Sequence, residues 1–184
     1  MRLRAIALLL FAAAPALAGE RPLRADQSEI GFTVTQMGAG VSGHFRRFEA
    51  RIDLDPARPE TGTAEISVDI ASLSTGEPDA DAEALTRPWL DAAGFPKATF
   101  RSRGVRALGN GRYEVRGRLS IKGQPREVAV PFTLQPQPDG TLLASGEFTI
   151  RRTDFGIGGG EWNEDDLVAN EVPVRFRLVL GPPR

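Results

Sequence analysis

Seven stretches of this chain alternate apolar and polar residues with a period of two, and nothing else in the sequence restricts the fold as tightly. Ile30, Phe32 and Val34 alternate with Gly31, Thr33 and Thr35. Phe48, Ala50, Ile52 and Leu54 alternate with Glu49, Arg51 and Asp53. The pattern returns over Ala64–Ile70, Tyr113–Ile121, Val128–Phe132, Leu142–Ile150 and Val172–Leu178. Successive side chains of an extended backbone point to opposite faces, so each stretch reads as a strand with one face for a core and one for water. The fold class is therefore all-β.

Turn chemistry separates the strands. Asp55-Pro56, Gly109-Asn110-Gly111, Lys122-Gly123-Gln124-Pro125 and Pro138-Asp139-Gly140 are tight-turn sequences. Short strands joined by such turns pair as antiparallel neighbours in a sandwich or barrel, and closure into a barrel removes the edges that so many strands would otherwise expose. One stretch departs from the pattern. Pro78 to Leu90 has acids near its start, good helix formers through Leu85 and Pro88 to stop it, which predicts one short helix crossing from the strand over Ala64–Ile70 to a strand over Ala98–Ser102.

The first eighteen residues stand apart. Arg2 and Arg4 precede an unbroken apolar run from Ala5 to Ala14, Pro15 breaks it, and Ala16-Leu17-Ala18 is a small-x-small cleavage site. This reads as a secretory signal peptide cleaved after Ala18, leaving 19–184 as one exported domain in the periplasm. No later window reaches the ~18 apolar residues of a membrane-spanning helix. With no cysteine in the chain, thiol catalysis and disulfides are excluded. The net charge is −1, and loss of Arg2 and Arg4 makes the remainder more acidic. Such a chain is a poor ligand for nucleic acid.

Residues able to trade protons or hold metals are sparse. His44 is the one histidine and sits on an amphipathic strand, with no Gly-x-Ser-x-Gly elbow elsewhere to complete a triad. Neither Asp79–Glu83 nor Glu164–Asp166 has the spacing of a calcium loop, and both read as solvated acidic segments. Asp154-Phe155-Gly156 copies the letters of a kinase metal motif, followed by Gly158-Gly159-Gly160. The lysine strand, catalytic loop and Gly-rich loop of a kinase are missing. The dinucleotide and P-loop fingerprints are incomplete too, and the nearby Glu161, Glu164, Asp165 and Asp166 would repel phosphate. The stretch reads as a strand end with a glycine exit into an acidic loop. No catalytic residue, metal ligand or cofactor is assigned, and the chain is read as a non-enzyme.

Several segments in order resemble the YceI-like family of exported polyisoprenoid-binding proteins. They are 28–38 (SEIGFTVTQMG), 41–55 (VSGHFRRFEARIDLD) and 67–102, with its Phe95-Pro96-x-x-x-Phe100 element. Tyr113–Phe132 resembles the family's Gly-x-Leu-x-x-x-Gly hairpin, and 148–158 with 168–180 its last strands. The resemblance implies an eight-stranded antiparallel lipocalin-like barrel with one short crossover helix, its bore taking an isoprenoid lipid such as a quinone tail or polyprenol. Gln36 stands where family members often carry His. The acidic exit loop is similar to that of a subgroup found with membrane diheme cytochromes, implying a membrane redox protein as partner. The alternative is such a partner, or a stress-related accessory protein, without a stoichiometric ligand. A lipid-acting enzyme is the third reading.

Strand parity then assigns the bore. Phe32, Val34, Phe45, Phe100, Leu119, Phe132, Phe148 and Phe176 are expected to line it, with Trp89 near an entrance and Gln36, Arg152 and Asp154 as a polar rim. Gly117, Ala144 and Gly146 are expected to leave room along it.

Overall fold

The computed structural model describes residues 19–159 and 167–183. The signal segment expected over 1–18 and the acidic residues Glu161, Glu164, Asp165 and Asp166 lie outside these residues.

Among the described residues eleven strands and one α-helix follow in order: β1 (Glu20–Pro22), β2 (Glu29–Gln36), β3 (Ala39–Phe45), β4 (Phe48–Asp53), β5 (Thr63–Asp69), β6 (Leu73–Ser74), α1 (Pro78–Ala84), β7 (Lys97–Gly109), β8 (Arg112–Ile121), β9 (Gln124–Pro136), β10 (Leu142–Arg151) and β11 (Glu171–Leu180). All pairings are antiparallel and the strands form one sheet in the order β1-β4-β5-β7-β8-β9-β10-β11-β2-β3-β6.

The count exceeds the expected eight because two long runs are interrupted. β3 and β4 are halves of one run broken at Arg46-Arg47, and β5 and β6 are halves of another broken by the 3-10 turn Ile70–Ser72. The two interruptions face each other. Arg46 N–H donates to the Ser72 carbonyl at 3.1 Å and Asp69 N–H to the Arg47 carbonyl at 3.0 Å, so the kinked backbones still satisfy one another. The β3 half pairs with β2 and the β4 half with β5. Together with β5–β7, β7–β8, β8–β9, β9–β10, β10–β11 and β11–β2, this makes a ring of eight runs. The short β1 is an addition to it, paired with β4 and followed by a Leu23–Leu180 bridge.

Turns behave as their residues dictate. Gly109, Asn110 and Gly111 all have positive φ, as do Met37-Gly38 and Lys122-Gly123, the left-handed conformations that tight hairpins need. The helix is shorter than the stretch Pro78–Leu90 predicts. Leu85 and Thr86 donate back only three residues, to the Ala82 and Glu83 carbonyls. The Thr86 hydroxyl also takes the Glu83 carbonyl, at 2.7 Å, and Pro88 forbids continuation. Strand β10 likewise stops at Arg151, before the predicted strand end. Arg152–Phe155 form a 3-10 turn, closed by Gly156 at φ 65°.

Alternation sorts the side chains as expected. Outside, Arg and Glu pair across strands, Arg101 with Glu65, Arg106 with Glu114, Arg118 with Glu127 and Arg175 with Glu147, and Arg116 joins Glu114 along β8. Inside, two apolar clusters form. One holds Leu54, Leu134, Leu142, Leu178 and Leu180, all buried, at the end where β9 meets β10. The other is built on Ile150, Phe155 and Val172 with half-buried Phe32, Leu119, Ile121 and Phe148, at the end that carries α1.

Candidate functional site

Between the two clusters lies a cavity of about 650 Å³, lined almost wholly by apolar side chains from every run of the ring. That volume is within the usual range for small-molecule sites. Phe32, Val34, Phe45, Phe100, Leu119, Phe132, Phe148 and Phe176 all face it, and Trp89 stands over its α1 end. A register shift between Ser102 and Gly104 in β7 leaves Phe100 inward and brings Val105 inward after it, the parity change that a bulge produces. The sequence reading did not single out Ile66 and Ile70, although their parity placed them on the same face.

The strand glycines do not leave the room that was expected of them. Gly146 faces Phe176 across the β10–β11 pair, and an added Cβ there would stand 2.6 Å from the Phe176 ring and 2.5 Å from the Pro131 carbonyl oxygen. Gly117 is likewise covered by Phe100, and Gly43 by Phe32. Each ring lies across a neighbouring strand at the point where that strand has no side chain. The rings are thereby held against the wall, and Phe32 meets Phe45 in a tilted pair with centroids 5.6 Å apart. The bore stays open because its phenylalanines lie along it.

The two ends of the cavity differ. Buried leucines seal the β9–β10 end, with Leu180 fully inaccessible. At the other end the connections after β2, β6, β8 and β10 gather, and α1 lies over the opening with no buried residue of its own. It turns Ala80, Glu83 and Ala84 toward the cavity, positions i, i+3 and i+4 of one helix face. Hydrogen bonds hold it there. Thr75 donates to Asp81 Oδ1 twice, from its N–H at 2.6 Å and from its hydroxyl at 2.7 Å. These bonds, the hydroxyl's above all, hold the Asp81 carboxyl below the usual carboxylate range. Trp89 Nε1–H donates to Glu83 Oε1 at 3.1 Å. Glu83, read from the sequence as part of a solvated acidic run, thus belongs to the mouth; its side chain is exposed yet borders the cavity.

Arg152 is the buried charge of this end, 2% exposed. Its Nε donates to the Ala169 carbonyl at 3.2 Å and its Nη2 to the Val168 carbonyl at 2.7 Å. Nη1 donates to the carbonyls of Ile157 and Gly158 at 3.0 and 2.8 Å. The side chain is a clasp between the two ends of the β10–β11 connection, and charge-assisted bonds of this kind are the stronger ones. Lys122 makes a second clasp, its Nζ donating to the Gly156 carbonyl at 2.8 Å and the Pro88 carbonyl at 3.3 Å. Burial lowers its pKa. Of the expected polar rim, Gln36 and Arg152 border the cavity and Asp154 does not; Asp154 is exposed on the turn that begins at Arg152. His44 is exposed on β3, paired with Gly31. Among the described residues no group of three or more His, Asp or Glu side chains is placed to hold a metal, and no helix is long and apolar enough to cross a membrane.

A closed antiparallel barrel, charged outside and apolar inside, with one sealed end and one lidded end, defines a cavity-enclosing barrel of the lipocalin-like class. The chain belongs to the YceI-like family, whose sequence model, described as the YceI-like domain, covers residues 22–180. It is 28% identical over 155 residues to the UPF0312 protein of Azotobacter vinelandii, spanning 79% of this chain and 81% of that one. Among solved structures it is similar to Burkholderia cenocepacia BcnA, with 34% identity, a TM-score of 0.83, and coverage of 85% of this chain and 98% of that chain. A polyisoprenoid binding domain from Saccharophagus degradans, implicated in plant cell wall breakdown, superposes with a TM-score of 0.71 over 91% of this chain and all of that one. At 17% identity that likeness speaks for the fold.

Proposed function

We propose that this protein holds one isoprenoid lipid, of quinone or polyprenol type, with the tail in the bore and the head at the α1 mouth. The observation that carries the reading is the apolar cavity running from the sealed leucine end to Trp89 and α1. Each buried CH₂ contributes about 0.8 kcal/mol, so a tail of a few isoprene units is held without any catalytic group. That a structural neighbour is a polyisoprenoid binding domain supports the choice of ligand class. The role is retention of a lipid rather than its conversion.

Native mass spectrometry after gentle purification tests this. A co-purifying adduct of isoprenoid mass is the expected result. An empty barrel that also takes up neither a quinone nor a polyprenol on reconstitution overturns it.

Two further parts of the proposal rest on segments outside the described residues. Export to the periplasm rests on the signal-like residues 1–18, and is checked by a mature N-terminus at Gly19 in the periplasmic fraction. Docking to a membrane redox protein rests on Glu161, Glu164, Asp165 and Asp166. Their joint replacement by Gln and Asn should abolish co-purification of that partner while lipid uptake persists.

A further inference from the structure

The polar groups at the mouth differ in what they still have to offer a ligand. Four N–H bonds of Arg152 already point at carbonyl oxygens of Ile157, Gly158, Val168 and Ala169. A guanidinium engaged in this way cannot turn its two-pronged face to a phosphate. Lys122 is bound to the Gly156 and Pro88 carbonyls and does not border the cavity. Glu83 does border it, with Oε1 taken by Trp89, so a carboxylate stands where the head of a ligand filling the bore would lie. Gln36 borders it too, and among the described residues its side-chain amide makes no hydrogen bond, leaving both N–H donors and the carbonyl acceptor for a ligand.

We infer that the mouth selects lipids with an uncharged, hydrogen-bonding head, a hydroxyl or a carbonyl, and that Glu83 rejects the same tail bearing a phosphate. The inference rests on the lipid-holding reading above and specifies its head-group chemistry. Gln36 supplies the donor or acceptor to the head. Glu83 accepts from a hydroxyl but repels an anion, and the N–H groups of Arg152 and Lys122 nearby are already on backbone carbonyls. The repulsion acts at the partly solvated end of the bore, where a like charge at close range changes affinity by about tenfold. Tail burial is the same for both lipids, so the discrimination lies in the head alone.

The experiment compares a polyprenol with its monophosphate of equal chain length, measuring displacement of a fluorescent apolar probe at neutral pH. The wild-type protein should take the alcohol roughly tenfold more tightly than the phosphate. Glu83→Gln keeps an oxygen acceptor for Trp89 and so preserves the lid. It should bring the phosphate to within about twofold of the alcohol, whatever it does to the alcohol's own affinity. Gln36→Ala should weaken the alcohol several-fold, about the value of one hydrogen bond. Equal binding of alcohol and phosphate by the wild type, or a ratio that Glu83→Gln leaves unmoved, overturns the selection while the lipid-holding role stands. Uptake of neither lipid overturns the lipid-holding role and this selection together.

Discussion

The ring of Phe176 lies across the backbone of Gly146, its partner in the β10–β11 pair, so closely that a Cβ on the glycine would stand 2.6 Å from the ring. The same Cβ would stand 2.5 Å from the Pro131 carbonyl oxygen on β9. A side chain can swing away, but a backbone carbonyl fixed in the sheet cannot. Gly146→Ala should therefore cost about 1–3 kcal/mol in chemical denaturation, the range for overpacking. Gly40→Ala serves as control. There the nearest atom would be the Thr33 methyl at an ordinary 3.7 Å, so the change should stay within about 0.5 kcal/mol.

Leu119 tests whether the cavity is where the ligand goes. It is half-buried in β8 and lines the bore between Phe100 and Ile121. Leu119→Trp would project an indole into empty space rather than into packed side chains. Stability should change by less than about 1.5 kcal/mol, while uptake of a quinone or polyprenol, followed by native mass spectrometry, falls below detection. Full uptake by a folded Leu119→Trp protein would move the ligand elsewhere.

Arg152 tests the clasp. Removing its side chain leaves the carbonyls of Ile157, Gly158, Val168 and Ala169 without the partner they now share. Buried acceptors left unpaired cost about 1–3 kcal/mol each, so Arg152→Leu should destabilise by at least about 3 kcal/mol in urea. Hydrogen exchange should show the loss first in residues 156–158 and 167–170, before the strands.

The wall was legible in the sequence and the mouth was not, for a physical reason. A barrel wall obeys a period of two, so the inward position of Phe32, Phe148 and Phe176 follows from parity, and so does the class of fold. Where the chain leaves the sheet, parity has no meaning. Glu83 reads as one acid in a run of acids until a short helix turns it over the cavity. Asp154 reads as a rim residue until the 3-10 turn carries it outward. The glycines mislead in another way. Their spacing says a side chain is missing, and only the register shows that a phenylalanine from the next strand occupies the place.

Acid should loosen the structure through carboxylates that are better stabilised folded than unfolded. Asp81, bonded to Thr75, Asp69, bonded to Arg47, Glu114, bonded to Arg116, and Asp139, bonded to Thr141, all have pKa values below their ordinary ones. A lowered folded-state pKa contributes stability that is complete above the unfolded value, near 4, and is lost as pH falls through the folded value. Thermal melts should hence be level from neutral pH to about 5 and decline below about 4. Asp81→Asn should melt lower than wild type at neutral pH, and the two should converge once Asp81 itself is protonated. A gap that persists to the bottom of the acid range would show that the charge of Asp81 contributes nothing.

The closure of the eight runs into a ring separates two properties that an open sheet would tie together. Any strand parted from its neighbours would break ladders on both sides, so traffic into the bore through the wall would need something close to global unfolding. Passage by way of α1 and Trp89 disturbs local bonds such as Thr75–Asp81, Glu83–Trp89 and Lys122–Pro88 and leaves the strand ladders intact. How tightly a tail is held is then a property of the wall, and how long it stays is a property of a seven-residue helix. Residence time can drift or be engineered through α1, with the strand ladders of the barrel left as they are.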